Sequence, residues 1–365
     1  MFVGREYEIR QLEKYRNSKE AEFIIVYGRR RVGKTFLIKE FFDDTYDFHV
    51  TGLYKKPKKM QLKNFYLALQ ETERYLVSRG IQWSRYDIVE CYMIMGGIPY
   101  YLKLLDNEQS YLANIDNIFF KRNGPLWDEF NHLYETLFGN SKAYLKVIEA
   151  LSTRKFGLTR KEIINETKLD DNGLLTEMLK NLKDSQFVRA YNTFGYDEKN
   201  VVYQLADYFT LFYLRFMKGR QNPDEHFWTH YIDNPSKSSW AGQTFEQVCK
   251  EHINQVKKAI GIGALLTDIS SWQGISESGK AQIDLVIDRR DRTTNICEIK
   301  FSVDEFAIDK DYEDKLKKNM RVFREATKSR KALQLVMITT YGVRQNAHSG
   351  IMQSQVRMDD LFVAQ

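Results

Sequence analysis

The chain has 365 residues, with 55 Lys and Arg against 49 Asp and Glu, a formal net charge of +6 and 43% hydrophobic residues. That is the composition of a soluble globular protein with room for two or three domains; the basic excess is spread along the chain and, by itself, only permits an acidic partner such as nucleic acid. The three cysteines, Cys91, Cys249 and Cys297, are far apart and form no C-x-x-C pair, which argues against a disulfide framework and a cysteine zinc site.

At the N-terminus no signal-peptide core is visible, and no apolar stretch in the chain reaches the length that crosses a bilayer, so a cytoplasmic protein without a membrane partner is expected. Phe2-Val3-Gly4-Arg5-Glu6 leads into a helix carrying Ile9, Leu12 and Tyr15 at helical spacing. A short apolar run, Phe23 to Val26, then reads as a buried strand. It breaks into Gly28-Arg29-Arg30-Arg31-Val32-Gly33-Lys34-Thr35, which matches G-x-x-x-x-G-K-[ST], and a helical pattern follows with Phe36, Leu37 and Phe41. Gly28 and Gly33 let the backbone pass close to a polyphosphate, so that successive N–H groups and the following helix N-terminus face anionic oxygens. Lys34 is placed to reach the β- and γ-phosphates and Thr35 to hold Mg²⁺. With the Phe-x-Gly-Arg-Glu opening, this stretch resembles the archaeal-type ATPases of the AAA+ class. The resemblance implies ATP and Mg²⁺ as cofactors, a phosphate-binding set from Gly28 to Phe36, and Val3, Gly4 and Arg5 beside the adenine.

Lys55-Lys56-Pro57-Lys58-Lys59 reads as a solvated loop. An ATPase of this kind needs an apolar strand ending in Asp-Glu, and none follows. Instead Leu67-Ala68-Leu69-Gln70 runs into Glu71 to Leu76, which resembles the family's helical lid, continuing to the turn Gly96-Gly97-Ile98-Pro99. A central block is therefore missing between about Tyr66 and Glu71. Losing groups that stabilise a transferring phosphoryl costs about 10²- to 10⁵-fold in rate, so nucleotide binding with poor turnover is expected. Loss of central strands would also expose sheet edges, which makes association between copies of the chain an expectation.

From Ser141 to Met217 the pattern gives a helix with Leu145, Ile148 and Leu151, a second capped by Thr159, and a third near Asp171 with Leu175, Met178 and Leu182. Phe187 to Ala190 and Val201 to Leu205 then flank a polar turn as a hairpin does. Three helices and a hairpin read as a winged helix, which would offer Lys180, Lys183, Arg189 and Lys199 to DNA, or serve as a packing spacer. His226 and His230 stand one helical turn apart without a third ligand and are read as packing or surface residues.

From Gly242 the order is helix, three strands, helix, strand. The first helix buries Phe245, Val248, Cys249, His252, Ile253 and Val256 and leaves Glu246 on the flank. Gln282 to Asp288 alternates so that Ile283, Leu285 and Ile287 share one face and Gln282 and Asp284 the other; Asn295 to Phe301 sends Cys297, Ile299 and Phe301 inward and Glu298 and Lys300 outward. An Asp on one strand and Glu-x-Lys on the next resembles the PD-(D/E)xK nuclease superfamily. By that resemblance Asp284 and Glu298 are Mg²⁺ ligands, Lys300 is the catalytic lysine and Glu246 a supporting acid, with DNA as substrate. The expected fold class is α/β: a shortened P-loop NTPase domain over 1–108, an all-α/winged-helix module over 109–218 and a restriction-endonuclease-like α/β domain over 219–365. The expected function is an ATP-binding protein fused to a Mg²⁺-dependent DNA nuclease, the alternative being a nucleotide-regulated scaffold with an inert nuclease fold.

Overall fold

The computed structural model describes residues 5–18, 24, 34–42, 68–137, 141–192, 194, 201–220 and 224–363. It divides into two compact units, Met1–Thr51 and Gly52–Gln365. In the first, α1 (Glu6–Arg16) buries Leu12 and α2 (Lys34–Phe41) buries Leu37. Arg5 is the residue that precedes α1, and its guanidinium pairs with Glu8 one turn on, at 2.9 Å. Helix α2 begins at Lys34, where the G-K-T signature predicts a helix N-terminus. Val3, Gly4, the strand expected at Phe23 to Val26 apart from Ile24, and the loop from Gly28 to Gly33 lie outside the described residues, as do the side chains of Lys34, Thr35 and Phe36.

The second unit opens with α3 (Leu69–Ser78) and α4 (Arg85–Met95). Ser84 caps α4 by accepting the Asp87 N–H, and Gly96 ends it with φ of 61°, a conformation that glycine adopts without strain. Then come α5 (Pro99–Leu102), α6 (Tyr111–Ile115), a π-helical turn over Asp116–Phe120, α7 (Glu129–Leu137) and α8 (Ser141–Ser152). The short strand β1 (Leu158–Thr159) runs into α9 (Arg160–Thr167) through a capping box between Thr159 and Glu162. Asn172 caps α10 (Gly173–Asp184), and β2 (Val188–Asn192) and β3 (Val201–Leu205) form an antiparallel hairpin that β1 extends on the β3 side. The helices and hairpin anticipated here are thus present.

Helices α11 (Tyr208–Phe216) and α12 (Phe227–His230) lead to α13 (Pro235–Glu251) and α14 (Ile253–Ala259). The single helix expected across His252 is broken there. The His252 imidazole hydrogen-bonds the Val248 carbonyl at 2.9 Å through Nδ1 and accepts the Leu69 N–H through Nε2 at 3.2 Å. A five-stranded sheet follows in the order β4 (Thr267–Ser276), β5 (Gly279–Arg289), β6 (Thr293–Lys300), β7 (Ala332–Thr339) and β8 (Ser354–Arg357). The first three strands are antiparallel. α15 (Lys310–Thr327) connects β6 to β7, which is parallel to it, as is β8 to β7.

One face of this sheet, with Leu285, Ile287, Cys297 and Ile299, joins a core that runs continuously back through Phe245, Phe212 and Ile148 to Leu76 and Leu69. The other, with Ile283, Val286 and Ile296, packs on Leu316 and Phe323 of α15. Packing therefore does not break at 108/109 or 218/219. Across the second of these, the Asp116 carboxylate accepts the N–H groups of Trp228 (2.6 Å) and Thr229 (3.1 Å) at the start of α12. Trp228 itself is fully buried against Phe212, Phe216 and Trp240. Shared burial of large aromatic groups from both sides makes one unit of segments that sequence composition separates.

Candidate functional site

Strand β6 follows the alternation its sequence predicts: Cys297 and Ile299 are buried toward α13, and Glu298 and Lys300 meet residues of α15. Strand β5 does not. Its register against β4 shifts between Ser270 and Trp272, so that Asp284 and Leu285 together oppose Ser271, whose hydroxyl donates to the Asp284 carbonyl at 2.8 Å. Such a bulge resets the side-chain alternation. Ile283 consequently packs with Val286 on the α15 face instead of with Leu285 and Ile287, and Asp284 reaches a partner shared with α13.

That partner is Lys155, in the turn before β1. Its ammonium lies 2.7 Å from Glu246 Oε1 and 3.2 Å from Asp284 Oδ1, while Asp284 Oδ2 accepts the Ile299 N–H at 3.2 Å. Glu246 is 7% and Asp284 6% exposed, so the two acids are withdrawn from water while the cation they share stays partly open to it. Glu246 is buried, not on the helix flank as its spacing suggested. The Lys155 turn is held firmly: Gly157 has φ of +79°, and a Cβ there would stand 2.1 Å from the Tyr203 carbonyl oxygen. Gln204 donates to the Lys155 carbonyl at 2.5 Å and Tyr191 to the Phe156 carbonyl at 2.6 Å.

Burial, reinforced by the charge of Asp284, pushes Glu246 up to about 7. Burial alone would depress Lys155, but the two carboxylates outweigh it and its ammonium is held more tightly than usual. One helical turn from Glu246, Lys250 is pushed down to about 8 by burial, against the pull of Glu246. Glu298 belongs to a separate set: Lys300 at 3.1 Å, Lys315 at 3.5 Å, and the Tyr312 hydroxyl, which donates to it. Burial and Glu298 together raise the Tyr312 phenol far above its ordinary value. Asp284 on β5 and Glu298 on β6 thus share no hydrogen-bonding partner, and both act on Tyr312 electrostatically.

Two buried carboxylates converging on one cation offer the hard oxygen donors that Mg²⁺ takes. Among the described residues no group of three His, Cys, Asp or Glu could hold a metal ion. The pair alone would leave most of a divalent cation's shell to ligands from outside it, and the position between the two carboxylates is taken by the Lys155 ammonium. Lys155 has no sequence signature; it lies 129 residues from Asp284, in a turn whose spacing carries no chemistry. Of the basic residues assigned to a DNA-facing surface, Lys180 is exposed, Arg189 pairs with Glu251 at 3.0 Å, and Lys199 is outside the described residues. His226 and His230 are exposed, and His230 bonds Asp224 at 2.8 Å. All three cysteines are buried and free, and no helix among the described residues is long and apolar enough to cross a membrane.

A family model described as an ATPase domain predominantly from Archaea matches residues 2–79. A second, described as Archaea bacterial proteins of unknown function, matches residues 209–313, a span that includes Glu246, Asp284, Glu298 and Lys300 but not Lys155. An uncharacterized ATP-binding protein of Methanocaldococcus jannaschii is 54% identical over 44 residues, 12% of this chain and 75% of that protein. An uncharacterized protein of the same organism is 22% identical over 394 aligned positions, covering 82% of this chain and 88% of its own length. That alignment is longer than the 365-residue chain, so the relative has residues with no counterpart here.

Proposed function

The chain belongs, through residues 2–79, to the ATPase domain family found predominantly in Archaea, and from that premise we propose that it binds ATP at its P-loop and cleaves DNA with Mg²⁺ at its C-terminal module. ATP binding draws support from Gly28 to Thr35, from the start of α2 at Lys34 and from the name of the M. jannaschii relative. Hydrolysis is impaired in this reading, because no strand ending in Asp-Glu follows the P-loop and a relative has residues that the chain lacks.

The observation that carries the nuclease reading is the convergence of Glu246 and Asp284, from different elements, on one cation position. Mg²⁺ bound there would supply a polarised phosphate and an activated water. In this reading Asp284 is oriented by the Ile299 N–H, and Lys300, the lysine that the resemblance assigns to the attacking water, is held by Glu298 and would have to leave it to act. Helices α8, α9 and α10 with the hairpin, read as a winged helix, would meet DNA through exposed Lys180. A second reading, an inert nuclease fold in a nucleotide-regulated scaffold, is favoured by one fact: Lys155 already neutralises the acid pair.

Incubation of supercoiled and linear DNA with Mg²⁺ or Mn²⁺, with and without ATP, separates the two. Cleavage by the native chain that vanishes in Lys300→Ala is the expected result. DNA or ATP binding with no cleavage under any condition transfers the assignment to the scaffold.

A further inference from the structure

A cleft of about 550 Å³ lies between the end of α10, strand β2, the end of α13 and the bulged stretch of β4. Its volume is in the range of small-ligand sites, about 300–1,000 Å³. The acids on its wall are already committed. Glu251 accepts from Arg189 (3.0 Å) and from the Tyr208 hydroxyl (2.7 Å), and Asp207 caps α11 by accepting the Thr210 N–H at 2.8 Å. Two cations are not. Lys183 and Lys250 both line the cleft, and among the described residues neither ammonium makes a hydrogen bond or ion pair. Two further polar groups on the wall, the Gln186 amide nitrogen and the Ser270 hydroxyl, are buried with no partner.

Unmatched buried donors cost free energy, and a half-buried ammonium with no hydrogen-bonding partner adds to that cost. An oxyanion with several acceptor oxygens relieves all four groups together. We propose that this cleft binds the phosphate group of a nucleotide-sized ligand, held by Lys183 and Lys250 and hydrogen-bonded by Gln186 and Ser270. Burial depresses Lys250 to about 8 although Glu246 and Asp284 pull the other way. Tyr191 and Tyr208 on the same wall offer rings beside the phosphate position. The site is distinct from the P-loop, and it stands whether or not the acid pair cleaves DNA.

The phosphate can come from a free nucleotide or from the end of a nucleic-acid strand, and the probes distinguish them. Binding of AMP and of a short 5′-phosphorylated single-stranded oligonucleotide is measured by calorimetry without divalent metal, in full-length protein carrying Lys34→Ala to silence the P-loop, with adenosine as the phosphate-free control. At least one phosphorylated probe should bind and adenosine should not. Lys183→Met and Lys250→Met should each weaken that binding about tenfold, and Lys250→Arg should preserve it. Thermal melting of Lys250→Met should match or exceed that of the parent, since no ion pair is lost. AMP binding identifies a nucleotide site, and oligonucleotide binding alone a strand-end site. If neither probe binds, or if binding is indifferent to both lysines, the proposal is overturned.

Discussion

On the α13 face of the five-stranded sheet two carboxylates, Glu246 and Asp284, share the single ammonium of Lys155; on the α15 face one carboxylate, Glu298, is surrounded by Lys300, Lys315 and Tyr312. The first arrangement is short of positive charge and the second has an excess. Burial of two acids against one cation leaves a charge that the site relieves by retaining a proton on Glu246 toward neutral pH. The α15 set meets no such shortage, and its lysines are about a third and a half exposed. The same sheet thus carries an acid-rich buried set on one face and a base-rich, half-open set on the other, and the proposed cleavage would draw on both.

The sharpest way to break this comparison is Asp284→Ala, which removes the residue common to the bulge and the cation position. Cleavage should fall by about 10²- to 10³-fold or more, as when a charge-stabilising group is lost from an active site. Undiminished Mg²⁺-dependent cleavage in that variant would remove Asp284 from the site.

Next in size is a pH effect on stability. Glu246 titrates near 7 in the folded chain against an ordinary 4.5, so the native state holds the proton more tightly than the unfolded chain does. The stability it contributes is complete below about 4.5 and is lost as pH rises through about 7, a fall of about 3 kcal/mol. Lys250, about 8 against 10.5, acts in the opposite sense, so its share is regained as pH climbs toward 10.5. Asp284, Lys155 and Arg189 are the charges facing this pair. Urea midpoints should dip between about 7 and 8, and Glu246→Gln should flatten the acid-side limb; parallel curves for native and variant proteins would contradict the assignment.

Lys155→Met comes third. It strands two buried carboxylates, and with Lys155 itself 26% exposed the cost should be about 2 kcal/mol. Mg²⁺ should restore more stability to this variant than to the parent, because it no longer competes with an ammonium. Equal Mg²⁺ shifts in both melting curves would mean that no cation site lies there. The smallest effect is expected on the charge-rich face: Tyr312→Phe should destabilise by only about 1 kcal/mol, since two lysines still satisfy Glu298.

Much of this architecture is legible from local pattern. Thr159 and Glu162 announce a capping box, Lys34-Thr35 a helix N-terminus, and the alternation from Asn295 to Lys300 places Glu298 and Lys300 on one face of β6. The same rule misplaces Ile283, because the bulge that resets β5 arises from its pairing with β4, not from β5 itself. Glu246 is misjudged for a related reason: the helical stripe puts it on the flank, but the sheet and the Lys155 turn close over that flank.

The sequence by itself determined the capped helices, the strand periodicities and the phosphate-binding signature, since each depends on residues within a turn or two of one another. Tertiary structure alone decided that Lys155 serves Glu246 and Asp284, that Lys183 and Lys250 face one cleft, and that the helices from Leu69 onward share a core with the sheet. Charge compensation and burial belong to groups far apart in the chain that meet only when it folds, and a linear pattern carries no record of which ones meet.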